Sequence, residues 1–175
     1  MESSLKRLNV DQINVLYLHQ NDLNIISDKF IQKGLEKVLM LGLAKKLGTS
    51  VYSLGELDFS LNSQLYTTVQ APVNILNHSF YNHFNAKSVN KELIARSIYI
   101  QGTLLNADFV KLKEMNLELY NSIYNLYRIC EMNQTSVLNE AKSSVYSLEN
   151  VRTIQSSLSL DNIESNLHYE PSKTK

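Results

Sequence analysis

The absence of glycine and proline between Thr103 and Glu170 most constrains what this chain can fold into. All 5 glycines precede that stretch. Proline removes a backbone donor from a helix interior, and glycine there costs about 1 kcal/mol relative to alanine. A long stretch without either residue therefore favours long helices.

Apolar side chains recur at heptad spacing within this stretch. One row, with members seven residues apart, comprises Phe109, Asn116, Ile123, Cys130 and Val137. A second row, three residues further on, comprises Leu112, Leu119, Leu126 and Asn133. A flanking row comprises Leu117, Tyr120, Tyr124 and Tyr127. The first two rows form the a/d register of helices that share a seam, and the third makes the apolar face wide enough to favour a helical bundle.

The first part of the chain also has a helical pattern. Within residues 11–47, Leu16, Leu23 and Phe30 are seven residues apart. The apolar stripe then drifts, which indicates one or two ordinary helices rather than a straight coiled-coil seam.

Three further segments complete the expected fold. Residues 89–101 and 137–158 carry apolar side chains at helical spacing. Thr135 or Ser136 is the expected N-cap of the later helix. Residues 56–70 alternate apolar and polar residues, which suits a small β-hairpin, although a helix or an irregular loop is favoured. The expected fold class is all-α, a helical bundle of about five helices with its longest helix, or a coiled-coil-like hairpin, in the C-terminal half at 103–134.

The length of 175 residues predicts one domain. Residues 1–9 are expected to form an N-terminal tail, and residues 10–158 a single helical domain in which 103–158 form the long helices. Residues 51–90 hold only three charged side chains and are expected to connect the helical parts. The apolar pattern fades later in the chain, so residues 159–175 are expected to be a flexible tail.

The charge balance and the apolar runs exclude several classes of protein. Lys and Arg number 17, as do Asp and Glu, and a zero net charge argues against a general nucleic-acid binder. The most apolar run, Val38–Ala44, is far shorter than the roughly 20 residues of a membrane span. No signal-peptide pattern is seen, so the chain is expected to be intracellular, in cytoplasm or nucleus. The single cysteine, Cys130, is expected to be a buried apolar residue.

Residues 43–57 resemble the helix-turn-helix consensus of bacterial regulators, with a small residue at Ala44 and a turn glycine at Gly48. The resemblance implies a DNA-binding regulator that uses residues 38–58, with a C-terminal helix for dimerisation. Its second helix would present Glu56 to the DNA, and a carboxylate repels phosphates. The same residues suit a helix that ends at Gly48 and a second, separately capped helix, which is the favoured interpretation.

No residue pattern indicates a catalytic, cofactor-binding or metal-binding site. The glycine spacing lacks the lysine and hydroxyl residue of a phosphate-binding loop. His78 and His83 are five residues apart and so lie on different helix faces. Arg96 and Arg128 could each bind an anion, but nothing clusters around either in the sequence. The chain is therefore expected not to be an enzyme, although a site assembled from scattered residues would leave no pattern.

The wide apolar face favours a non-catalytic structural or interaction subunit of an intracellular multiprotein complex. Its partners would be proteins, in a hetero-complex or a homodimer, because buried Asn positions suit specific helix pairing. The expected partner-binding residues are Phe109, Leu112, Asn116, Leu119, Tyr120, Ile123, Tyr124, Leu126 and Tyr127.

Overall fold

The computed structural model describes residues 2–19, 22–87, 90–157 and 159–167, in which strands alternate with helices. The strands are β1 (Ile13–Leu18), β2 (Ala44–Ser50), β3 (Thr68–Pro72), β4 (Glu92–Arg96) and β5 (Val151–Thr153). The helices are α1 (Glu2–Leu8), α2 (Leu23–Ile26), α3 (Lys29–Met40), α4 (Leu54–Asn62), α5 (Ser79–Lys87), α6 (Phe109–Met115), α7 (Leu117–Met132), α8 (Val137–Tyr146) and α9 (Leu160–Leu167).

The strands form one sheet in the order β1-β2-β3-β4-β5. The first three pair in parallel, with Leu18 opposite Thr49 and Ser50 opposite Gln70. Helical segments connect successive strands, as parallel pairing requires. The fold is therefore α/β, and the expected all-α bundle is wrong. Within the described ranges, no helix is both long and apolar enough to cross a membrane.

The expected helix over residues 11–47 is wrong because its heptad pattern is distributed over separate elements. Leu16 lies in β1, Leu23 begins α2 and Phe30 lies in the first turn of α3. The side chain of Asp28 caps α3 by accepting hydrogen bonds from the backbone of Phe30 and the next residue. A regular spacing of apolar residues thus arose without one continuous helix.

The expected long helix at 103–134 is broken at Asn116. The backbone of Asn116 is extended, and the side chain of Asn116 caps α7 by accepting a hydrogen bond from the Leu119 backbone N–H at 2.9 Å. Asn116 is therefore a cap between α6 and α7 rather than a seam residue. A later expectation is confirmed: the Ser136 hydroxyl caps α8 by accepting from the Asn139 backbone at 3.1 Å.

The helix-turn-helix interpretation of residues 38–58 is wrong, as is a helix that ends at Gly48. Gly48 lies inside β2, where a Cβ atom would come within 2.5 Å of the Tyr17 ring and 2.8 Å of the Thr68 carbonyl oxygen. Glycine is thus needed for close approach rather than for a turn. The helix after the strand is α4, which begins with a capping box between Ser53 and Glu56.

The structure also decides three further segments. Residues 56–70 form no hairpin: α4 continues to Asn62 and β3 begins only at Thr68, so the favoured helix or irregular loop is confirmed as far as residue 67. Residues 89–101 contain β4 instead of a helix. Residues 137–158 contain α8 followed by β5. Short strands between helices were read as parts of those helices.

The chain divides into two compact units. Unit 1 comprises Met1–Pro72 and Ser79–Ile94, and unit 2 comprises Val73–His78 and Ala95–Lys175. The core of unit 1 is formed by the buried residues Ile26, Leu35, Leu47 and Tyr66. The core of unit 2 is formed by the buried residues Leu104, Ile123, Leu126, Cys130 and Ala141. Cys130 is a buried apolar residue, as expected.

Candidate functional site

Three polar side chains of unit 1 lie at or near the carboxyl ends of neighbouring parallel strands. His19 follows β1 directly, and Ser50 ends β2. Because Leu18 lies opposite Thr49, His19 and Ser50 each stand one residue beyond that pair. Ser50 is in turn the register partner of Gln70 in β3. We call His19, Ser50 and Gln70 the carboxyl-end row.

Alternation along β2 places Ser50 on the face away from α4. The preceding residue, Thr49, donates a 2.8 Å hydrogen bond to Ser60 in α4, and both side chains are buried. Successive strand residues point to opposite faces, so Ser50 and Gln70 share the other face. Thr68 lies on that face too, and its buried hydroxyl has no hydrogen-bond partner in the described part of the chain.

The carboxyl-end row has the groups needed to hold and protonate an oxygen atom. Ligands of parallel α/β sheets bind beyond the carboxyl ends of the strands. His19 supplies an imidazole, the side chain most often used in proteins to donate or accept a proton in catalysis. The Ser50 hydroxyl and the Gln70 amide are hydrogen-bond donors at neighbouring positions.

A cavity of about 610 Å³ lies within unit 2, and we call it the unit 2 cavity. It begins at Arg96, the last residue of β4, and extends to α9. Its polar side chains are those of Ser97, Tyr99, Gln101, Asn106, Gln155, Ser156, Ser157, Asn162 and Asn166. Among the described lining residues, Arg96 is the one charged side chain and no carboxylate occurs. The cavity therefore suits an anionic ligand.

The backbone beside this cavity has several left-handed residues. Ser97, Gln101 and Gly102 have φ angles of +58°, +55° and +87°, and all three line the cavity. Ile100 has a φ angle of +51°, which is an outlier for a β-branched residue. Each non-glycine residue held in this region costs on the order of 1 kcal/mol or more, and such strain clusters at ligand sites.

Hydrogen bonds organise the wall formed by α9. The Tyr99 hydroxyl lies 3.2 Å from Oε1 of Gln155 and 3.1 Å from Oδ1 of Asn166. The amide nitrogen of Gln155 donates to the hydroxyl of Tyr146 at the end of α8. The Asn162 amide nitrogen donates to the Ser157 hydroxyl at 3.3 Å. A smaller cavity of about 280 Å³ shares part of this wall.

The residues expected to bind a partner protein lie mainly in or around the core of unit 2. Ile123 and Leu126 are buried there, and Phe109, Leu112, Leu119 and Tyr127 pack against that core. The Phe109 ring also lies edge-on to Tyr120, Tyr124 and Tyr127. None of the nine lines the unit 2 cavity. Their contact with a partner protein stays a prediction.

No local sequence pattern indicates either candidate site. His19 follows β1, Ser50 ends β2 and Gln70 lies within β3, and the sequence pattern predicts none of these three strands. The polar residues around Arg96 are up to 70 positions away from it in the chain. The one local signal is a short, mainly apolar segment, Ile13–Leu18, that is followed by a histidine.

A polar cluster elsewhere in unit 1 joins α4 to α5. Asp58 accepts from Nε2 of His83 at 2.7 Å and from Nζ of Lys87 at 2.5 Å. These hydrogen bonds lower the pKa of Asp58 below its ordinary value of 3.8. The cluster is half-exposed and connects two helices, which is typical of a surface ion pair. Among the described residues, no group of three or more His, Cys, Asp or Glu side chains could hold a metal ion.

Comparison with solved structures identifies the fold. The thermostable aldo-keto reductase Tm1743 matches with a TM-score of 0.67 and 18% identity, over 95% of this chain and 57% of that one. An aldo/keto reductase from Klebsiella pneumoniae, in complex with NADP and acetate, gives 0.65 and 15%, over 94% and 56%. The glycerol dehydrogenase AKR11B4 from Gluconobacter oxydans gives 0.62 and 19%, over 99% and 66%. This chain thus spans between half and two thirds of their lengths.

The fold is therefore that of the aldo-keto reductases, a TIM-barrel type, although no family model and no curated protein matches the sequence. The similar structures are enzymes. This finding overturns the expectation of a non-catalytic interaction subunit that is not an enzyme. It equally overturns the expectation of a DNA-binding regulator.

Proposed function

We propose that this chain functions in an oxidoreductase that interconverts carbonyl compounds and alcohols, and that its unit 2 cavity binds the phosphate-bearing part of NADPH. The observation that carries the proposal is the cavity itself, with Arg96 as its one described charge. The fold shared with aldo-keto reductases supports it, as does NADP in the Klebsiella pneumoniae structure.

The chemistry of the cavity fits a dinucleotide phosphate. Its volume of about 610 Å³ lies in the usual range for small-molecule sites. A guanidinium such as that of Arg96 forms strong paired hydrogen bonds with phosphate oxygens. Hydroxyl and amide side chains supply further donors, and the absence of a carboxylate among the described lining residues avoids repulsion.

The apolar part of the lining fits the bases of such a ligand. Ile98, Leu105, Leu138 and Ile154 lie among the polar residues of the cavity. Flat rings are bound in proteins by apolar and aromatic walls, while a few polar groups fix their orientation. The cavity therefore combines the two surfaces that a nucleotide needs.

We assign to the carboxyl-end row of unit 1 the tasks of binding and protonating the substrate oxygen. Reduction of a substrate carbonyl needs a hydride, which NADPH would supply when bound. The oxygen of that carbonyl must then gain a proton, and His19 is the residue of the row that can give one. Ser50 and Gln70 can orient the oxygen by hydrogen bonds. In the direction of alcohol oxidation, His19 would accept the same proton.

Calorimetric titration of the full chain with NADPH tests the nucleotide site. We expect Arg96→Gln to weaken binding about 10- to 100-fold, since a hydrogen bond to a charged group is lost. Arg128→Gln is the matched control, because Arg128 is exposed on α7 and lies outside the cavity lining. NADH, which lacks the 2′-phosphate, measures the part of the affinity due to that group. Absence of NADPH binding to the unchanged chain would contradict the proposal.

A further inference from the structure

We infer that Tyr99 is a positioning residue that fastens α9 against the unit 2 cavity and so sets the rate at which a bound nucleotide leaves. The inference rests on the nucleotide site proposed above. It concerns one hydrogen bond, between the Tyr99 hydroxyl and the side chain of Asn166.

Tyr99 connects three stretches of unit 2 that are far apart in sequence. It lies in the strained turn after β4, while Gln155 follows β5 and Asn166 lies near the end of α9. All three side chains line the cavity. Tyr99 is therefore the point at which the turn, the end of the sheet and α9 meet.

Besides the bond from Tyr99, α9 is held to the preceding segment by the hydrogen bond from the Asn162 amide nitrogen to the Ser157 hydroxyl. Asn166 is its one half-buried side chain among those described, and the others described are exposed. Leu160 and Leu167, at its two ends, are each 76% exposed. A helix of 8 residues is not stable by itself, so its position depends on contacts with the rest of unit 2. The Tyr99 contact is one of them, and it holds the half-buried Asn166.

The hydrogen bonding around Tyr99 makes this contact easy to break and re-form. A phenol has one proton, so Tyr99 donates to either Gln155 or Asn166 at a given moment. The amide of Gln155 is held in addition by its donation to Tyr146. When α9 moves away, Tyr99 keeps Gln155 as acceptor, and no buried hydroxyl is left without a partner. A nucleotide can therefore leave past α9 at low cost.

The first test examines α9 without any ligand. Hydrogen exchange of the backbone amides at 163–167 is compared in the unchanged chain, Tyr99→Phe and Tyr124→Phe. The exposed Tyr124 lies on α7 outside the cavity lining and is the matched control. We expect about 5- to 10-fold faster exchange in Tyr99→Phe, the effect of one lost hydrogen bond, and no change in the control.

A second variant, Asn166→Ala, removes the same bond from the α9 side and leaves Tyr99 with Gln155. It keeps the test valid if Tyr99→Phe fails to fold. We expect the same increase in exchange, and no further increase when both changes are combined, because the two residues share one interaction.

The second test measures how fast NADPH leaves, by stopped-flow displacement with excess NADP⁺. We expect dissociation to become about 5- to 10-fold faster in Tyr99→Phe and Asn166→Ala, with association changed less than about two-fold. A residue with a merely structural role would not raise the dissociation rate of NADPH while it left the association rate nearly unchanged. If NADPH binds and neither its dissociation nor the exchange of α9 changes, this inference is wrong while the nucleotide site stands. If NADPH does not bind to the unchanged chain, both are wrong.

Discussion

The ring of Tyr17 in β1 lies directly against Gly48 in β2, so closely that a Cβ at residue 48 would meet a ring carbon at 2.5 Å. On its other side, the same Cβ would meet the backbone oxygen of Thr68 in β3 at 2.8 Å. A side chain can move, whereas a strand backbone moves only with its neighbours. Glycine at this position therefore lets three strands pack side by side below the carboxyl-end row.

We accordingly predict that Gly48→Ala lowers the free energy of unfolding by about 1–3 kcal/mol, the usual cost of overpacking. Gly34→Ala is the matched control, because Gly34 lies in α3 with open space around its Cβ position. That change should stabilise the chain by about 0.5–1 kcal/mol. Urea unfolding followed by circular dichroism measures both. Equal effects of the two changes would contradict the close packing at Gly48.

As the proposed proton donor, His19 should affect turnover of the substrate but not binding of NADPH. His19→Gln should reduce the rate of NADPH-dependent aldehyde reduction about 100-fold or more, because general acid catalysis is lost. The affinity for NADPH, measured by calorimetry, should be unchanged. His83→Gln is a control in the same unit, since its ring hydrogen bonds to Asp58 in a surface cluster. Full activity of the His19 variant would exclude it as the proton donor.

The cluster around Asp58 predicts a loss of stability in acid. Hydrogen bonds from His83 and Lys87 lower the pKa of Asp58 below its ordinary value of 3.8. The folded chain therefore binds this proton less tightly than the unfolded chain does. The stabilisation is complete above pH 3.8 and is lost as the pH falls through the lower value of the folded state.

Thermal unfolding from neutral pH to below pH 3.8 measures this effect by comparison with Asp58→Asn. The unchanged chain should be the more stable of the two near neutral pH, by a small amount because the pair is half-exposed. The difference should disappear at the acid end. A difference that persists there would show that charge on Asp58 is not its source.

We predict that the ammonium group of Lys91 stabilises the backbone at the end of α4. Its Nζ donates to the carbonyl oxygens of Ser60, Ser63 and Tyr66, at 3.0, 2.5 and 2.5 Å. Burial lowers the pKa of Lys91. Lys91→Met keeps the apolar stem but removes all three donors, and we expect a loss of about 1–3 kcal/mol of stability. Chemical unfolding of this variant is compared with Lys33→Met, an exposed lysine of α3.

Local chemistry in the sequence predicted some details of the structure correctly. Ser136 caps α8 because a cap bonds to the backbone three residues further on, and Cys130 is buried, as a free cysteine usually is. The strands were missed for a physical reason. The strand Ala44–Ser50 contains two lysines and a glycine, so it lacks the apolar alternation of a typical strand. Its pairing is decided by neighbours elsewhere in the chain.

The candidate sites could not be predicted for the same reason. Arg96 forms no recognisable motif with its sequence neighbours, and two further polar residues of the cavity, Gln155 after β5 and Asn166 in α9, come from distant positions. Ser50 belongs to a candidate site because its register partner in the neighbouring strand, Gln70, lies 20 positions away in the sequence. Parallel strands bring together residues that no local pattern connects.

Because Cys130 is buried, its thiol should not compete with other thiols for chemical labels. At 3% exposure it should not react with maleimide reagents while the chain is folded. A cysteine introduced at the exposed Glu164 of α9 would then be the single reactive thiol, and a dye or spin label there would follow the helix in real time. The protein thus offers a direct spectroscopic view of α9 without removal of any native residue from its core.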